Sequence, residues 1–376
     1  MLFLRGESMG LYDYIDQFGD KSFLEVSFNA VDAMIFSYLP YVDFRNVVCL
    51  EEKLSIKEAE EKYSLLNSKK KTDIITILEA CKLFHTIAEK KRYQDCLLSF
   101  YEYIGNEKIQ FGAISVEYMT NRVFIAYEGT DSLFSGWIEN FLLSYRFPTA
   151  SHKMAIQYLN KHYTFSRKRL ILGGHSKGGN LALVAAMYGN FFARLKIDFI
   201  YNGDGPGLLE EEFFSHRYQR IQKKYIHLMP EYSVVGVLLN HSNDYVVSAN
   251  TKSIMAHSII HWNVEGDSFR TAKLSFFSKE LDASVTNWLK KTSLEEKKNI
   301  IENLDQILKD ANIQSILELQ KDTSKVFQFI QRSKELTPDS KKAIKELIWI
   351  YLKALEKSTQ EEWKSFFKQS FSHHKK

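Results

Sequence analysis

In the stretch ILGGHSKGGNLALVAA, residues 171 to 186, an apolar run opens into glycines around one serine and then resumes at helical spacing. Gly174, His175, Ser176, Lys177 and Gly178 fit the pattern GxSxG, with a strand-like segment before it and a helix-like one after. A serine at the tip of such a turn takes up strained backbone angles, and side chains two residues to either side would clash with it or with the sheet. Glycine at 174 and 178 removes that clash, and Gly179 lets the helix lie close. The turn also aims the Lys177 amide and the positive end of the helix at the space beside the serine oxygen, where a tetrahedral oxyanion would form. The competing reading is a glycine-rich turn that packs a helix or holds a phosphate. Phosphate loops, however, carry GxGxxG or a terminal GKS, and neither is present here.

A nucleophilic serine needs a base downstream and a carboxylate to orient it, in the chain order serine, acid, histidine. His257, in SIMAHSIIHW, follows the last expected strand, and His241 and His261 compete with it. Three carboxylates are candidates for the acid: Asp204 in YNGDGPG, Glu231 in MPEYS and Asp244 in SNDYVVS. Asp204 ends an expected strand before a glycine and proline turn, where a carboxylate can face the top of a sheet, and is placed first. Glu231 follows the next strand, the commoner position for the acid, so the alternatives stay open. Asp204 could also do no more than cap its own turn.

The elements that must position these residues follow from periodicity. Residues 10 to 96 read as mainly helical, with charged and apolar residues at helical spacing in SIKEAEEKYSLLNSKKKTDIITILEACKLFHTIAEKKRYQ. From residue 97 the period changes to short aromatic and β-branched runs, LLSFYEYI, KIQFGAISVEY and RVFIAYEGT, separated by turns. Helix HKMAIQYLNKHY, strand RLILGG, helix NLALVAAMYG, strand IDFIYNG, helix LEEEFFSHRYQRIQKK and strands YIHLM and DYVVSA then alternate. That alternation predicts an α/β fold with a mostly parallel sheet flanked by helices.

Beyond about residue 275 only helical patterns remain: a capping box from Ser293 to Glu296, a stripe through Ile300, Ile301, Leu304, Ile307 and Leu308, and a second from Ile344 to Leu355. The division expected is therefore an N-terminal helical layer over 1–96, an α/β core over 97–275 and a C-terminal helical extension over 276–376.

Composition narrows the class further. Fifty basic against 46 acidic residues leave a net charge of +4, without the strong positive field of a dedicated nucleic-acid binder, so no nucleic-acid partner is expected. Cys49, Cys81 and Cys96 are odd in number and lack CxxC spacing, so they read as reduced thiols. No metal and no cofactor is expected. The first residues reach Arg5 and Glu7 too soon for a secretory signal, and no uncharged apolar run approaches about 18 residues, so a cytoplasmic location is expected.

Taken together, GGHSKGGNLALVAAMYG, YNGDGPG, SVVGVLL with VVSANTKSIMAHSIIHW, and AYEGTDSLFSGWIENF resemble the bacterial lipase-like family of unknown function within the α/β hydrolases, distantly similar to class 3 triacylglycerol lipases. The resemblance covers most of the chain, including SFNAVDAMIFSYLPYVDF. It implies a serine hydrolase fold with Ser176 as nucleophile, His257 as base, Asp204 as acid by its place in DGPG, and Gly129 and Thr130 lining the oxyanion hole. Where those lipases carry an arginine before the glycine, this chain has Glu128, and Asn140 stands where an aspartate usually follows the tryptophan, here Trp137. In class 3 lipases the acid follows the next strand, and Ser233 of EYSVVG holds the analogous place.

The function expected is hydrolysis of a small-molecule carboxylic ester, thioester or lipid, with Thr130 and the Lys177 amide binding the oxyanion. Aromatic residues in LEEEFFSHRY and SLFSGWIENFLLSYRF could cover an apolar acyl site, and the Lys177 side chain could attract an anionic head group. The alternative is a catalytically silent hydrolase fold used for binding or at a membrane surface. The C-terminal helix supports it, since Trp363, Phe366 and Phe367 share one face away from Lys364 and Lys368.

Overall fold

A computed structural model of the chain describes residues 9–310, apart from 50–51, 68–71, 73, 107–108, 131–142 and 144. The stripe from Ile344 to Leu355, the tail with Trp363, Phe366 and Phe367, and the Trp137 and Asn140 positions therefore lie outside the described residues.

Eight strands make the main sheet: β1 (Leu54–Ser55), β2 (Leu97–Gly105), β3 (Gln110–Met119), β4 (Arg122–Tyr127), β5 (Arg169–His175), β6 (Ile197–Gly203), β7 (Tyr225–Pro230) and β8 (Asp244–Val247). They lie side by side in chain order. The first four pair antiparallel and β4 to β8 pair in parallel. Each segment expected to be extended is a strand of this sheet. The two-residue β1 and a small hairpin, β9 (Val264–Glu265) with β10 (Ser268–Phe269), were not anticipated, because a two-residue strand has no period to read.

Helices α1 (Leu11–Phe18), α2 (Ala30–Tyr38), α3 (Ile56–Asn67) and α4 (Ile75–Ala88) form the N-terminal layer. Helices α5 (Ala150–Tyr163) and α6 (Lys177–Tyr188) cover the opposite face. On β4, Phe124 and Ala126 pack with the N-terminal layer, while Val123, Ile125 and Tyr127 pack with α5 and α6. Both faces of β4 are thus dry, which explains why it reads as a near-continuous apolar run rather than an alternating one.

The segment LEEEFFSHRYQRIQKK departs from the expected single helix. It forms two short helices, α7 (Phe191–Arg194) having come before them: α8 (Glu210–Phe213) and α9 (His216–Ile221). Ser215 separates them because its side chain accepts the Tyr218 amide, so it starts a new helix rather than continuing the old one. The C-terminal part begins with α10 (Phe276–Lys291), whose Leu281 packs with Met229, Val234 and Val237 of the core. It continues with α11 (Leu294–Asp310), where Ser293 and Glu296 form the expected capping box. The side chains of the stripe from Ile300 to Leu308 are outside the described set.

Helix α2 is the pivot of the N-terminal layer, buried from Val31 to Tyr38. Its Asp32 has no exposed surface and accepts from Arg92 Nε at 2.9 Å, Arg92 Nη2 at 2.6 Å and the Tyr93 hydroxyl at 2.8 Å. Arg92 also donates to the carbonyls of Lys21, Ser22, Val26 and Ser27, so one guanidinium fixes the loop that leads into α2. Removing one partner of such a pair leaves the other charged and dry. Asp32→Ala is expected to lower the unfolding free energy by about 3–5 kcal/mol in urea titration; a loss below about 1 kcal/mol would show that the layer does not depend on this pair.

Candidate active site

The strand-to-helix turn is built as its glycines require. Ser176 sits at φ 57° and ψ −133°, between the last residue of β5 and the first of α6. This conformation is costly for a residue with a Cβ, and its surroundings hold it. The Ser176 amide donates to the Gly203 carbonyl at 2.8 Å, and the Gly179 amide donates back to the Ser176 carbonyl at 3.0 Å. A Cβ on Gly174 would lie 2.3 Å from the carbonyl carbon of Gly178, and one on Gly178 would lie 2.0 Å from the Tyr127 carbonyl oxygen. Both contacts are with backbone, which cannot swing aside.

At the end of β6, Asp204 also has a positive φ, 47°, and no exposed surface. Its amide donates to the Leu228 carbonyl at 2.7 Å, tying the turn to β7. Its Oδ2 accepts from His257 Nδ1 at 2.6 Å, while Oδ1 accepts from the Ser233 hydroxyl at 2.5 Å and the Gly236 amide at 3.0 Å. With Nδ1 donating to the acid, Nε2 of His257 keeps its lone pair. His257 lies at the end of a single turn, Ile254–His257, and its ring is 4.4 Å from that of His175, the neighbour of Ser176. No hydrogen bond joins Ser176 Oγ to His257 among the described residues. In free enzymes such bonds are commonly long and close only around substrate.

The remaining candidates lie elsewhere. The Glu231 carboxylate accepts the Ala249 amide at 3.3 Å, and the Glu231 carbonyl accepts from Ser275 at the start of the C-terminal part. Asp244 accepts from both His227 and His241, each at 2.8 Å. Burial would raise the Asp244 carboxyl, but those two hydrogen bonds outweigh it and hold it well below the usual carboxylate range. His241 is therefore engaged with Asp244, and His261 bonds Asn250 at 2.8 Å. Two pairs form among the three histidines and three carboxylates, His241 with Asp244 and His257 with Asp204, and it is the second that lies against His175 of the serine turn.

Lys177 corrects an expectation. Its side chain is buried and donates from Nζ to the Gln110 carbonyl at 2.8 Å, so it cannot meet a substrate head group. Its backbone stands at the first position of α6, beside Ser176. The loop carrying Thr130 passes close by: a Cβ on Gly129 would lie 3.1 Å from the Ser176 Cβ and 2.4 Å from the His175 carbonyl. Of the aromatic residues expected to cover an acyl site, Phe213 packs on Tyr218 at 5.0 Å and Phe214 is exposed, while the segment from 131 to 142 lies outside the described residues.

Three contributors were not anticipated. Ser233 and Gly236 complete the cradle of Asp204; a Cβ at Gly236 would lie 2.4 Å from Oδ1, so that approach requires glycine. The only signal in the sequence was the position of Ser233 in EYSVVG. The third is His175, whose Nε2 donates to the His257 carbonyl at 2.8 Å while Nδ1 accepts from the Tyr41 hydroxyl at 3.0 Å. Tyr38 of α2 packs on the same ring and accepts the Ile259 amide at 3.1 Å, so the N-terminal layer holds the segment that bears His257.

Burial pushes His175 well below the ordinary histidine value, and the neighbouring His257 adds to the shift. A depressed histidine contributes stability that is present above the unfolded value of about 6.5 and is lost as pH falls below it. Over that acid window His175→Gln is expected to flatten the dependence of unfolding free energy on pH, by an amount approaching about 1.4 kcal/mol per pH unit. Parallel curves for the two proteins would count against a neutral His175.

The family model described as Mbeg1-like matches residues 87–306. Comparison with curated proteins gives no match. Among solved structures, M37 lipase is similar at 15% identity and a TM-score of 0.35, over 69% of this chain and 81% of that one. A mutant form of MDLA from Penicillium cyclopium is similar at 12% identity and a TM-score of 0.38, over 70% and 87%. The propeptide complex of Rhizomucor miehei lipase is similar at 13% identity and a TM-score of 0.34, over 56% and 77%.

Proposed function

Because the chain belongs to the Mbeg1-like family and has a lipase-like α/β-hydrolase fold, we propose that it is a serine hydrolase cleaving a carboxylic ester or thioester. The observation that carries the reading is the 2.6 Å bond from His257 Nδ1 to a fully buried Asp204, next to a serine held at positive φ. Neither a packing turn nor a phosphate loop needs a buried acid paired with a histidine whose ring lies 4.4 Å from that of the residue before its serine.

In the proposed reaction His257 Nε2 takes the proton of Ser176 Oγ as the oxygen attacks the substrate carbonyl. The amide of Lys177, at the positive end of α6, and Thr130 stabilise the oxyanion of the tetrahedral intermediate. As that intermediate collapses, His257 returns the proton to the departing alcohol or thiol. Water then enters, loses a proton to His257 and releases the acid, restoring the Ser176 hydroxyl. Asp204, by accepting from Nδ1, keeps His257 in the tautomer that the first step needs. A lipid ester or other apolar acyl substrate is consistent with this chemistry, and graded chain-length esters distinguish the acyl classes.

A fluorophosphonate probe should label the wild-type chain and leave Ser176→Ala unlabelled; equal labelling of both would remove Ser176 from the mechanism. Asp204→Asn should lower kcat by a factor on the order of 10³–10⁴ because the histidine loses its oriented tautomer. Glu231→Gln should stay within a few-fold of wild type, and a larger loss there than in Asp204→Asn would reassign the acid.

A further inference from the structure

Behind the Asp204 turn, the side chains of His227, His241 and Asp244 converge so that one donor atom from each lies within 4.8 Å of the others. We infer that these three residues bind a divalent transition-metal ion, zinc by the chemistry of the donor set. This goes beyond the hydrolase reading and departs from the expectation that no metal is used.

The argument begins with the orientation of His227. It is fully buried on β7, and its Nε2 lies 3.1 Å from the Gly205 carbonyl oxygen. A carbonyl only accepts, so Nε2 holds a hydrogen, and Nδ1, which donates to Asp244 in the ion-free site, is the nitrogen that would give up its proton to solvent and offer its lone pair when an ion takes the proton's place. That Nδ1 faces Asp244 Oδ1 at 2.8 Å, and His241 Nδ1 faces Asp244 Oδ2 at 2.8 Å. A histidine whose remote N–H is anchored on a backbone carbonyl is the usual outer-shell arrangement of a metal ligand, because it fixes both tautomer and ring.

Separation and exposure also fit. Tetrahedral zinc with bonds of about 2.0–2.2 Å keeps its donor atoms about 3.3 Å apart. The two imidazoles already bracket the carboxylate at 2.8 Å, so inserting an ion needs only a small opening about Asp244. His227 is immobile in the sheet, paired in register with Asp244 across β7 and β8. His241 and Asp244 keep 16% and 28% of their side-chain surface, which leaves a fourth position for water. Two imidazoles and one carboxylate favour zinc and its transition-metal neighbours over calcium or magnesium, which demand more oxygen donors. Since His227 is tied to Gly205, the ion would brace the turn that carries Asp204.

The test uses the full chain, stripped with a chelator and titrated with zinc against a chromophoric competitor. One zinc per chain is expected, with affinity reduced at least about tenfold in His241→Gln and in Asp244→Asn and unchanged in His216→Gln, which alters an exposed histidine. Cobalt added to the wild-type chain should give the intense visible bands of a tetrahedral site, a readout that needs no variant to fold. Binding of less than one zinc per chain, equal affinity in His241→Gln and wild type, or an octahedral cobalt spectrum would each overturn the inference.

Discussion

The carboxylate of Asp204 is wholly withdrawn from water, and the architecture around the site follows from satisfying it. A buried carboxylate is costly unless its oxygens are occupied. Three donors from two separate segments meet that demand: Ser233 and the Gly236 amide from the stretch after β7, and His257 from beyond β8. Since the Asp204 backbone is itself held to Leu228, the ends of β6 and β7 and the histidine segment cannot move independently. The same bonds that meet the cost of burial set the tautomer of His257. Stability and chemistry at this point are one network.

A second network reaches the histidine from the opposite side. Tyr38 and Tyr41, carried in by α2 and the turn after it, enclose His175, and His175 holds the carbonyl of His257. Glu79 of α4 accepts from Ser258 at 2.7 Å, the residue next to His257, and burial raises its carboxyl above the ordinary value. The N-terminal layer therefore does more than cover one face of the sheet. It supplies the wall against which His257 is seated, and the Arg92 to Asp32 pair fixes that wall in place.

What could be read from the sequence was local. The serine turn declared itself because its glycines, strand and helix are contiguous, and the alternation of strands and helices fixed the parallel half of the sheet. The choice among Asp204, Glu231 and Asp244 was undetermined because all three end or begin strands of the same sheet, and only the path of the chain after β8 decides which one His257 reaches. The burial of Lys177 was illegible for a related reason: its partner, the Gln110 carbonyl, is 67 residues away and is presented by another strand. Ser233 looked like a residue standing in the place of an acid, whereas it donates to Asp204 from that place. The break at Ser215 was written in the sequence as a helix-starting serine, but the apolar spacing on both sides concealed it.

The order of the strands has a consequence for synthesis. The sheet runs in chain order, so each parallel strand can join the edge left by the one before it as the chain lengthens. Ser176 and Asp204 are in place by then, but His257 comes after β8, and the segment beyond it closes on the start of the described chain through the Val264 amide and the Met9 carbonyl. A partly made chain can thus hold a nearly complete sheet and an exposed serine turn while lacking His257. The pairing of His257 with Asp204 waits until the last part of the core has been made and has closed on the first.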